Sequence, residues 1–458
     1  MAKKLWGGRF SHATHAGFEA FSSSLPTDWK LAPYDLRASK VHCQMLVKIK
    51  ILDKVSGQKI IKGLDKIASR IHAYDEDFRG TEYEDIHSLI ESELVRIAGS
   101  SAKKIHTARS RNDQVNVATR MYCLDHIAQQ IDELTHLQKA ILSLAKKNQN
   151  IVMPGMTHMQ KAQPISVAHW LLSYIEFLDR SKGRLKDAVK RLDVLTLGSG
   201  ALAGTSIPID REFVRKKLGF AKLSNNSLDA VGSRDVFAEL VSTLALLGTD
   251  LSRIAEDLLI YQLEEIDLVQ LPEELCTGSS MMPQKRNADF LELMRGSASI
   301  LIGNSMSSLA LLKGVPGSYN RDLQWDKEPL FKSIDLMHQL LTISTDLFRG
   351  LKINKDSAKR LIANDQLCAT DLAEFLVLKG MPFRTAHEKV GKFVSYCEGE
   401  SIALKDASEK ITQSMLGQSR KDIAKILDTT LSVKFKKSSG STGTIKVSVQ
   451  IAQWEKKL

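Results

Sequence analysis

A segment rich in arginine and amide side chains, His106–Gln114, directly precedes a long helical pattern. Free backbone N–H groups and the helix dipole at such a position favour a bound anion. Arg111 and Asn112 are therefore candidate ligands for a carboxylate. The alternative is an ordinary helix N-cap formed by Asn112 or Asp113.

A turn that contains two prolines and a glycine lies between Met153 and Pro164, before a second long helical pattern. It holds Thr157 and His158. An imidazole is the side chain best suited to exchange a proton near neutral pH, so His158 is a candidate acid or base. A lone histidine is nevertheless more often structural.

The segment Thr277–Asn287 begins with Gly-Ser-Ser and ends in Gln-Lys-Arg-Asn, a run of hydrogen-bond donors and positive charge. This order is typical of a mobile lid that clamps an oxyanion, and the alternative is a flexible serine linker. Ser279 is not in a Gly-x-Ser-x-Gly elbow, which argues against an acyl-enzyme hydrolase. We expect Glu292 two turns along the next helix, on the same face as Lys285, where a carboxylate can orient a histidine.

A fourth segment, Tyr319–Pro329, alternates phenol, amide, ammonium and carboxylate groups. It favours a polar ligand, with a salt-bridged helix start as the alternative. The sequence contains no phosphate-binding P-loop, dinucleotide fingerprint or paired-histidine motif, so we predict no cofactor and no metal. The residues alone indicate proton chemistry on a polyanion and do not name the substrate.

Long helices must position these segments, because prolines are absent between Pro33 and Pro154, Pro164 and Pro208, and Pro208 and Pro272. Each interval carries an apolar seam at helical spacing. The seams are Leu124, Ile127, Ile131, Leu134, Ile141 and Leu144; then Leu171, Ile175, Leu178, Leu185, Val189 and Leu192; and then Phe237, Leu240, Leu244, Leu247, Leu251, Ile254 and Leu258. We expect an all-α protein with an extended helix bundle that assembles with copies of itself.

Shorter helical patterns flank the long ones and divide the chain into three mostly helical domains, residues 1–112, 113–364 and 365–458. The predicted short helices are Asp35–Asp53, Gln58–Ala73, Asp85–Ala98, Ala369–Leu378, Arg384–Tyr396 and Lys421–Leu427. The segment Ser438–Val449 is rich in Ser, Gly and Thr and is predicted to be a loop.

The composition limits the class of protein. The 458 residues carry a net charge of +11, but basic and acidic residues are interspersed, which disfavours nucleic-acid binding. Five widely spaced cysteines form no Cys-x-x-Cys pair and favour a reducing cytoplasm. The start lacks an apolar signal region, and no stretch is apolar enough to span a membrane.

The segment Gly278–Asn287 resembles the signature of the fumarase and aspartase superfamily. The other polar segments, together with Trp6–Phe10 and Asn226–Val231, are similar to the argininosuccinate lyase family. This resemblance implies a homotetramer with a central twenty-helix bundle, five helices from each chain, and active sites that collect residues from three subunits.

The resemblance also implies a cofactor-free β-elimination that splits L-argininosuccinate into L-arginine and fumarate through an aci-carboxylate carbanion. Ser279 would be the general base, and Lys285 and Asn287 would stabilise the intermediate. His158, oriented by Glu292, would be the acid or would position it. The substrate would contact Ser24, Arg111, Asn112 and Thr157 at its carboxylates and amino group, Tyr319, Gln324 and Lys327 at its arginine portion, and His87 at its fumarate end.

One departure from the family pattern is Ala108, which stands where glycine is usual. Two alternatives remain open: an adenylosuccinate lyase, which the segments around Gln284 and Tyr319–Lys327 oppose, and a crystallin-like structural protein without turnover.

Overall fold

The computed structural model describes His12 and residues 14–72 and 83–458. The predicted all-α class is confirmed, because helices make up most of the described chain. The Trp6–Phe10 motif lies outside the described residues, as does Ala73 at the predicted end of the second short helix.

The α-helices, in chain order, are α1 (Ala16–Ser22), α2 (Leu25–Asp28), α3 (Ala32–Lys48), α4 (Lys54–His72), α5 (Ile86–Ala98), α6 (Arg111–Lys147), α7 (Val167–Leu192), α8 (Arg211–Leu218), α9 (Ser227–Gly232), α10 (Asp235–Tyr261), α11 (Asp289–Leu312), α12 (Lys327–Gly350), α13 (Lys355–Leu361), α14 (Ala369–Leu378), α15 (Phe383–Gly399), α16 (Glu409–Leu416), α17 (Arg420–Ile426), α18 (Thr429–Phe435) and α19 (Thr444–Lys457). Short 3₁₀ helices cover Trp29–Leu31, Gly99–His106, Glu273–Leu275, Arg321–Asp326, Asp365–Cys368 and Leu404–Asp406.

The described strands form three two-stranded sheets. An antiparallel hairpin joins β1 (Val152–Thr157) and β2 (Gln160–Ser166). A parallel pair joins β3 (Val194–Leu195) and β4 (Lys222–Leu223), and an antiparallel pair joins β5 (Val269–Gln270) and β6 (Lys352–Ile353). Only the hairpin exceeds two residues per strand among the described residues.

Five helices, α6, α7, α10, α11 and α12, are 37, 26, 27, 24 and 24 residues long. The seam predicted on α10 is confirmed, since all of its members, from Phe237 to Leu258, are at most 2% exposed. The seam on α7 has a polar position at Lys182, whose Nζ donates to Thr135 Oγ1 over 2.6 Å. A long side chain therefore occupies the place where the apolar pattern is interrupted.

Contacts group the chain into two compact units. The first consists of the described residues up to 131 and of residues 183–246 and 299–337, and the second of residues 132–182, 247–298 and 338–458. In the first unit, α3, α4 and α5 pack on one another. In the second, the C-terminal helices enclose a core that includes Leu372, Phe393 and Leu416. The division at residues 112 and 364 stays a prediction.

The predicted loop at Ser438–Val449 is wrong in its second half, because α19 begins at Thr444. Val447, Ile451 and Trp454 follow one another at intervals of four and three residues, and all three are buried. Burial of this apolar stripe outweighs the local Ser, Gly and Thr content. Within the described ranges, no helix is long and apolar enough to cross a membrane.

Candidate active site

The Gly-Ser-Ser segment forms an exposed loop whose two ends are joined by backbone hydrogen bonds. Thr277 N donates to Asn287 O over 3.1 Å, and Asn287 N donates to Thr277 O over 2.8 Å. The Thr277 hydroxyl also donates to Asp289 Oδ2 over 2.6 Å. The loop therefore has a defined stem, which a flexible serine linker would not have.

Ser279 lies inside this loop, and its side chain accepts hydrogen bonds from the backbone. Met281 N and Met282 N are 3.3 and 3.1 Å from Ser279 Oγ. Two N–H dipoles aimed at one oxygen stabilise negative charge on that oxygen. This arrangement suits a serine that must accept a proton.

The expected relation between Lys285 and Glu292 is wrong. Helix α11 begins at Asp289, so Glu292 lies in its first turn and Lys285 lies in the loop before it. The pairing of Asn287 with Thr277 uses the N–H and C=O groups that an earlier helix start would require. Lys285 is exposed, while the neighbouring Arg286 pairs with Glu273 at 2.9 Å.

His158 stands at the tip of the β1–β2 hairpin. Thr157 pairs with Gln160, which leaves His158 and Met159 as a two-residue turn with φ values of 54° and 61°. Positive φ at both positions is typical of a type I′ turn, where Asn-Gly is preferred. A histidine and a methionine in this conformation cost roughly 1–2 kcal/mol each. A turn is present as expected, but Pro154, Gly155 and Pro164, which were expected to fix it, lie within the two strands, and Thr157 ends β1. The pairing of the strands holds the strained turn and leaves the His158 imidazole exposed at the tip.

Helix α6 begins at Arg111, one residue before the earlier of the two predicted caps. Ser110 Oγ accepts from Asn112 N at 3.3 Å, and Asp113 Oδ1 accepts from Ser110 N at 2.9 Å. This reciprocal pairing is a capping box. Ser110 therefore caps the helix, and the expectation of Asn112 or Asp113 as the cap is wrong.

Arg111 is bound on three sides within the first unit. Its Nε is 3.1 Å from Asp85 Oδ2, and its other nitrogens donate to Gln114 and Ser88 over 2.6 and 3.1 Å. Burial alone would raise the pKa of Asp85, but the Arg111 and His87 charges and the hydrogen bonds with Ser88 together outweigh burial and lower that pKa. Asn112 is less constrained, and its Nδ2 donates to Ala201 O over 3.1 Å.

His87 is fully buried, and its Nδ1 lies 3.2 Å from Asp35 Oδ1. Gln114 Nε2 donates to the same oxygen over 2.6 Å. Although burial favours the neutral acid, the His87 and Arg109 charges and the hydrogen bonds lower the pKa of Asp35 to about 2. Asp35 was not predicted as a site residue, because it lies inside an ordinary amphipathic helix pattern that gives no local signal.

Asp28 links two of the predicted substrate residues. It accepts a hydrogen bond from Ser24 Oγ, and its Oδ1 lies 2.7 Å from Lys327 Nζ. Burial would lower the pKa of Lys327, but the charges of Asp28 and Asp326 outweigh it and raise that pKa. Asp28 is 1% exposed and was also missed, since nothing near it in the sequence resembles a binding motif.

The last predicted segment folds into the 3₁₀ helix Arg321–Asp326 and the start of α12. Gln324 Nε2 donates to Ser22 O over 3.0 Å. Asp326 pairs with Arg234 at 2.6 Å, and the Arg234 guanidinium lies 6.0 Å from the Tyr319 ring centre. Burial raises the pKa of the Tyr319 hydroxyl. Asp326 and Arg234 complete a charged cluster that the sequence motifs only partly contained.

The predicted residues are divided between the two units. Thr157, His158, Ser279, Lys285, Asn287 and Glu292 belong to the second unit, and Ser24, His87, Arg111, Asn112, Tyr319, Gln324 and Lys327 belong to the first. Over the described residues, no hydrogen bond or ion pair joins His158 to Glu292, and no group of three His, Cys, Asp or Glu side chains is arranged to hold a metal.

Comparison with known proteins identifies the family. Residues 8–303 match a family model described as lyase, and residues 366–434 match one described as argininosuccinate lyase C-terminal. A curated argininosuccinate lyase from Syntrophus aciditrophicus (strain SB) is 42% identical over 452 residues, which cover 99% of this chain and 96% of that protein. The chain belongs to the argininosuccinate lyase family. The resemblance found in its sequence motifs is thereby confirmed.

Solved structures extend the likeness to the fold. The crystal structure of EDDS lyase in complex with formate matches with a TM-score of 0.85 and 27% identity, over 98% of this chain and 90% of that one. A class II fumarase from Schistosoma mansoni matches with a TM-score of 0.78 at 16% identity, over 92% and 95%. The argininosuccinate lyase family fold is thus shared with a fumarase.

Proposed function

We propose that this chain is an argininosuccinate lyase that splits L-argininosuccinate into L-arginine and fumarate by general base and acid catalysis. The observation that carries the proposal is the 42% identity to an argininosuccinate lyase over nearly the full length of both chains. The second matched region, residues 366–434, has the argininosuccinate lyase C-terminal description, which favours this activity over that of an adenylosuccinate lyase.

Ser279 is the proposed base, and the loop geometry supports that role. The hydroxyl must first release its own proton to solvent, and the resulting alkoxide then takes the proton from the carbon beside a substrate carboxylate. The N–H groups of Met281 and Met282 already point at its oxygen and stabilise the charge. The negative charge then moves to the substrate as an aci-carboxylate.

Lys285 and Asn287 are the proposed stabilisers of that carbanion. Lys285 is exposed, and its Nζ forms no ion pair in the described part of the chain, so its charge is available to an anion. Asn287 is held at the loop stem, with Nδ2 directed to Gly278 O at 3.4 Å. Donors placed before the reaction stabilise developing charge without reorganisation, and one such donor is worth about 3 kcal/mol.

His158 is the proposed acid, or the group that positions it, with Glu292 as its partner. A second subunit is needed in this proposal, because the single chain contains no contact between these two side chains in its described residues. We therefore propose a homotetramer in which each active site takes residues from three subunits and five long helices of each chain form a twenty-helix bundle.

Exposed apolar residues on α11 support this assembly. No charged residue occurs between Gly296 and Leu312. Ile300, Met306 and Leu309 are 55%, 62% and 50% exposed. A side chain added at Gly303 would meet nothing within 4 Å, so the surface there is open to a neighbouring helix. An uncharged helix face with large exposed apolar side chains requires a covering partner.

The first unit supplies most of the proposed substrate ligands. Arg111 and Asn112 lie at the start of α6, whose dipole favours a carboxylate. Ser24 and Lys327 are joined through Asp28, which fixes a hydroxyl and an ammonium group in one place. The remaining proposed ligands are His87, Tyr319 and Gln324 from the first unit and Thr157 from the second. We further propose that the enzyme works in the cytoplasm, where its five free cysteines stay reduced.

The test is to mix the purified protein with argininosuccinate and, separately, with adenylosuccinate, and to follow fumarate by its ultraviolet absorbance. Fumarate from argininosuccinate alone is expected. Ser279→Ala should keep the assembly and substrate binding while turnover falls by orders of magnitude. A folded tetramer that releases no fumarate from either substrate would instead be a crystallin-like structural protein.

A further inference from the structure

A cavity of about 520 Å³ lies in the second unit, at the open end of the β1–β2 hairpin. Its walls come from the segment before β1, from α13 and α18, and from the start of α19. Helices α13 and α18 both pack against the hairpin. The volume lies within the range of sites that bind small molecules.

The floor of this cavity is apolar. Ala358, Ile362 and Val433 line it and are 1%, 4% and 6% exposed, and Val152 adds a half-buried side chain from β1. These side chains belong to three elements that are packed together, so the floor is a preformed part of the fold. An apolar group that covers the floor would remove its remaining surface from water.

The rim of the cavity is positively charged. Lys355, Lys359 and Lys434 line it, and no Asp or Glu side chain does. Lys355 and Lys434 form no ion pair within the described ranges, while Lys359 has only a contact of 3.6 Å with the exposed Asp356. Two ammonium groups are therefore available to a negative charge at the mouth.

Two amides stand beside the lysines. Gln149 and Asn150 line the same cavity, and neither side chain makes a hydrogen bond in the part of the chain that the structure describes. Their N–H groups are donors without an internal acceptor. Charge and donors at the mouth, above an apolar floor, complement an anionic group attached to an apolar body.

We propose that this cavity binds a small organic anion that has a compact apolar body. The site is separate from the proposed catalytic loop and lies at the opposite end of the hairpin from His158, since Val152 pairs with Ser166 at the base and Thr157 pairs with Gln160 at the tip. The ligand would bridge the hairpin, α13 and α18. This inference does not depend on the proposed reaction.

The probe for the test is 3-phenylpropionate, titrated calorimetrically into the full-length protein. Propionate keeps the charge without the apolar body, and 3-phenylpropionamide keeps the body without the charge. We expect 3-phenylpropionate to bind more tightly than propionate and more tightly than 3-phenylpropionamide. Saturating fumarate should leave its affinity unchanged, because fumarate carries two charges and no apolar body.

Paired variants locate the site. Lys355→Gln with Lys434→Gln should weaken binding of 3-phenylpropionate by about fivefold, as expected for two exposed charge contacts. The control pair Lys410→Gln with Lys425→Gln removes the same charge from exposed positions that do not line the cavity, and should leave the affinity unchanged. Circular dichroism checks that both pairs fold.

Three results would overturn the proposal. Equal binding of the amide and the carboxylate would show that the lysines recognise no anion. Equal weakening in both lysine pairs would show only a general charge effect. Displacement of the probe by fumarate would place it in the substrate site. Failure of the chain to cleave argininosuccinate would leave this proposal standing, because the cavity residues take no part in that reaction.

Discussion

Removal of one charge from the buried Asp28–Lys327 pair should lower the free energy of unfolding substantially. In Asp28→Asn the shape is kept, but the Lys327 ammonium loses the carboxylate oxygen that lies 2.7 Å from its Nζ. The side chains are only 1% and 5% exposed, so water cannot replace the lost partner. The amide introduced by this substitution can also turn a donor toward the ammonium group, which adds repulsion.

The magnitude follows from this burial. Breaking a buried ion pair by removing one partner costs about 3–5 kcal/mol, because the remaining charge stays desolvated. Asp326 also contributes negative charge near Lys327. We therefore expect Asp28→Asn to lower the free energy of unfolding by about 3 kcal/mol, the lower end of this range. The raised pKa of Lys327 keeps it protonated at neutral pH, where the full effect should be present; the stabilisation is lost only as pH rises through that folded-state pKa.

The assay is urea unfolding at pH 7, followed by circular dichroism, for the native chain and three variants. Asp28→Asn with Lys327→Met removes both charges and should recover more than half of the loss. Glu328→Gln is the matched control. It breaks the Lys332–Glu328 pair, which also lies on α12 and has the same distance of 2.7 Å, but its side chains are 65% and 49% exposed. This control should cost less than about 0.5 kcal/mol.

If Asp28→Asn lowers the free energy of unfolding by less than about 1 kcal/mol, burial does not make this pair important for stability, since the pair would then behave like an exposed one. The double variant decides between two causes of a large loss. If it is no more stable than Asp28→Asn, the cost comes from packing rather than from an unpaired charge.

Three further predictions concern strain, acid stability and assembly. Ala108 has a φ of 58°, so Ala108→Gly should raise the free energy of unfolding by about 0.5–1 kcal/mol in urea titrations, and a decrease would contradict the strain. Asp35 has a pKa of about 2 against an ordinary 3.8, so it should contribute about 2 kcal/mol above pH 4 that is lost as pH falls toward 2. Asp35→Asn should flatten the dependence of the free energy of unfolding on pH in this range. An unchanged slope would contradict the contribution of Asp35. Met306→Glu should dissociate the tetramer in sedimentation velocity. The control Lys313→Glu, at the end of the uncharged stretch of α11, should not. A Met306→Glu variant that stays tetrameric would exclude the apolar face of α11 as the interface.

Local sequence patterns were sufficient for the long helices and for the segments that carry the proposed site. The α10 seam places seven apolar residues on one stripe, and any fold of this chain must bury them. The helix predicted at Asp85–Ala98, which Asp85 caps in the structure, and the Ala369–Leu378 helix also follow from neighbouring residues, because caps and apolar periodicity act within a few turns. Ser279 and His158 were proposed as site residues for the same reason, since each lies in a short unusual segment.

The partners of those residues depend on contacts between distant parts of the chain. Asp28 meets Lys327 across almost 300 positions, and Asp35 meets His87 across about 50, as burial in a shared core brings them together. The start of α11 also escaped prediction, because it depends on the pairing of Asn287 with Thr277.

The sequence by itself determined the all-α class, the long helices, the family and the segments that carry polar chemistry. Hydrophobic periodicity and short motifs are local, so they can be seen before the chain folds. Only the tertiary structure decided which carboxylates hold Lys327, His87 and Arg111, and which backbone conformation presents His158. Those features depend on desolvation and on backbone strain, and both arise only when distant segments are packed against one another.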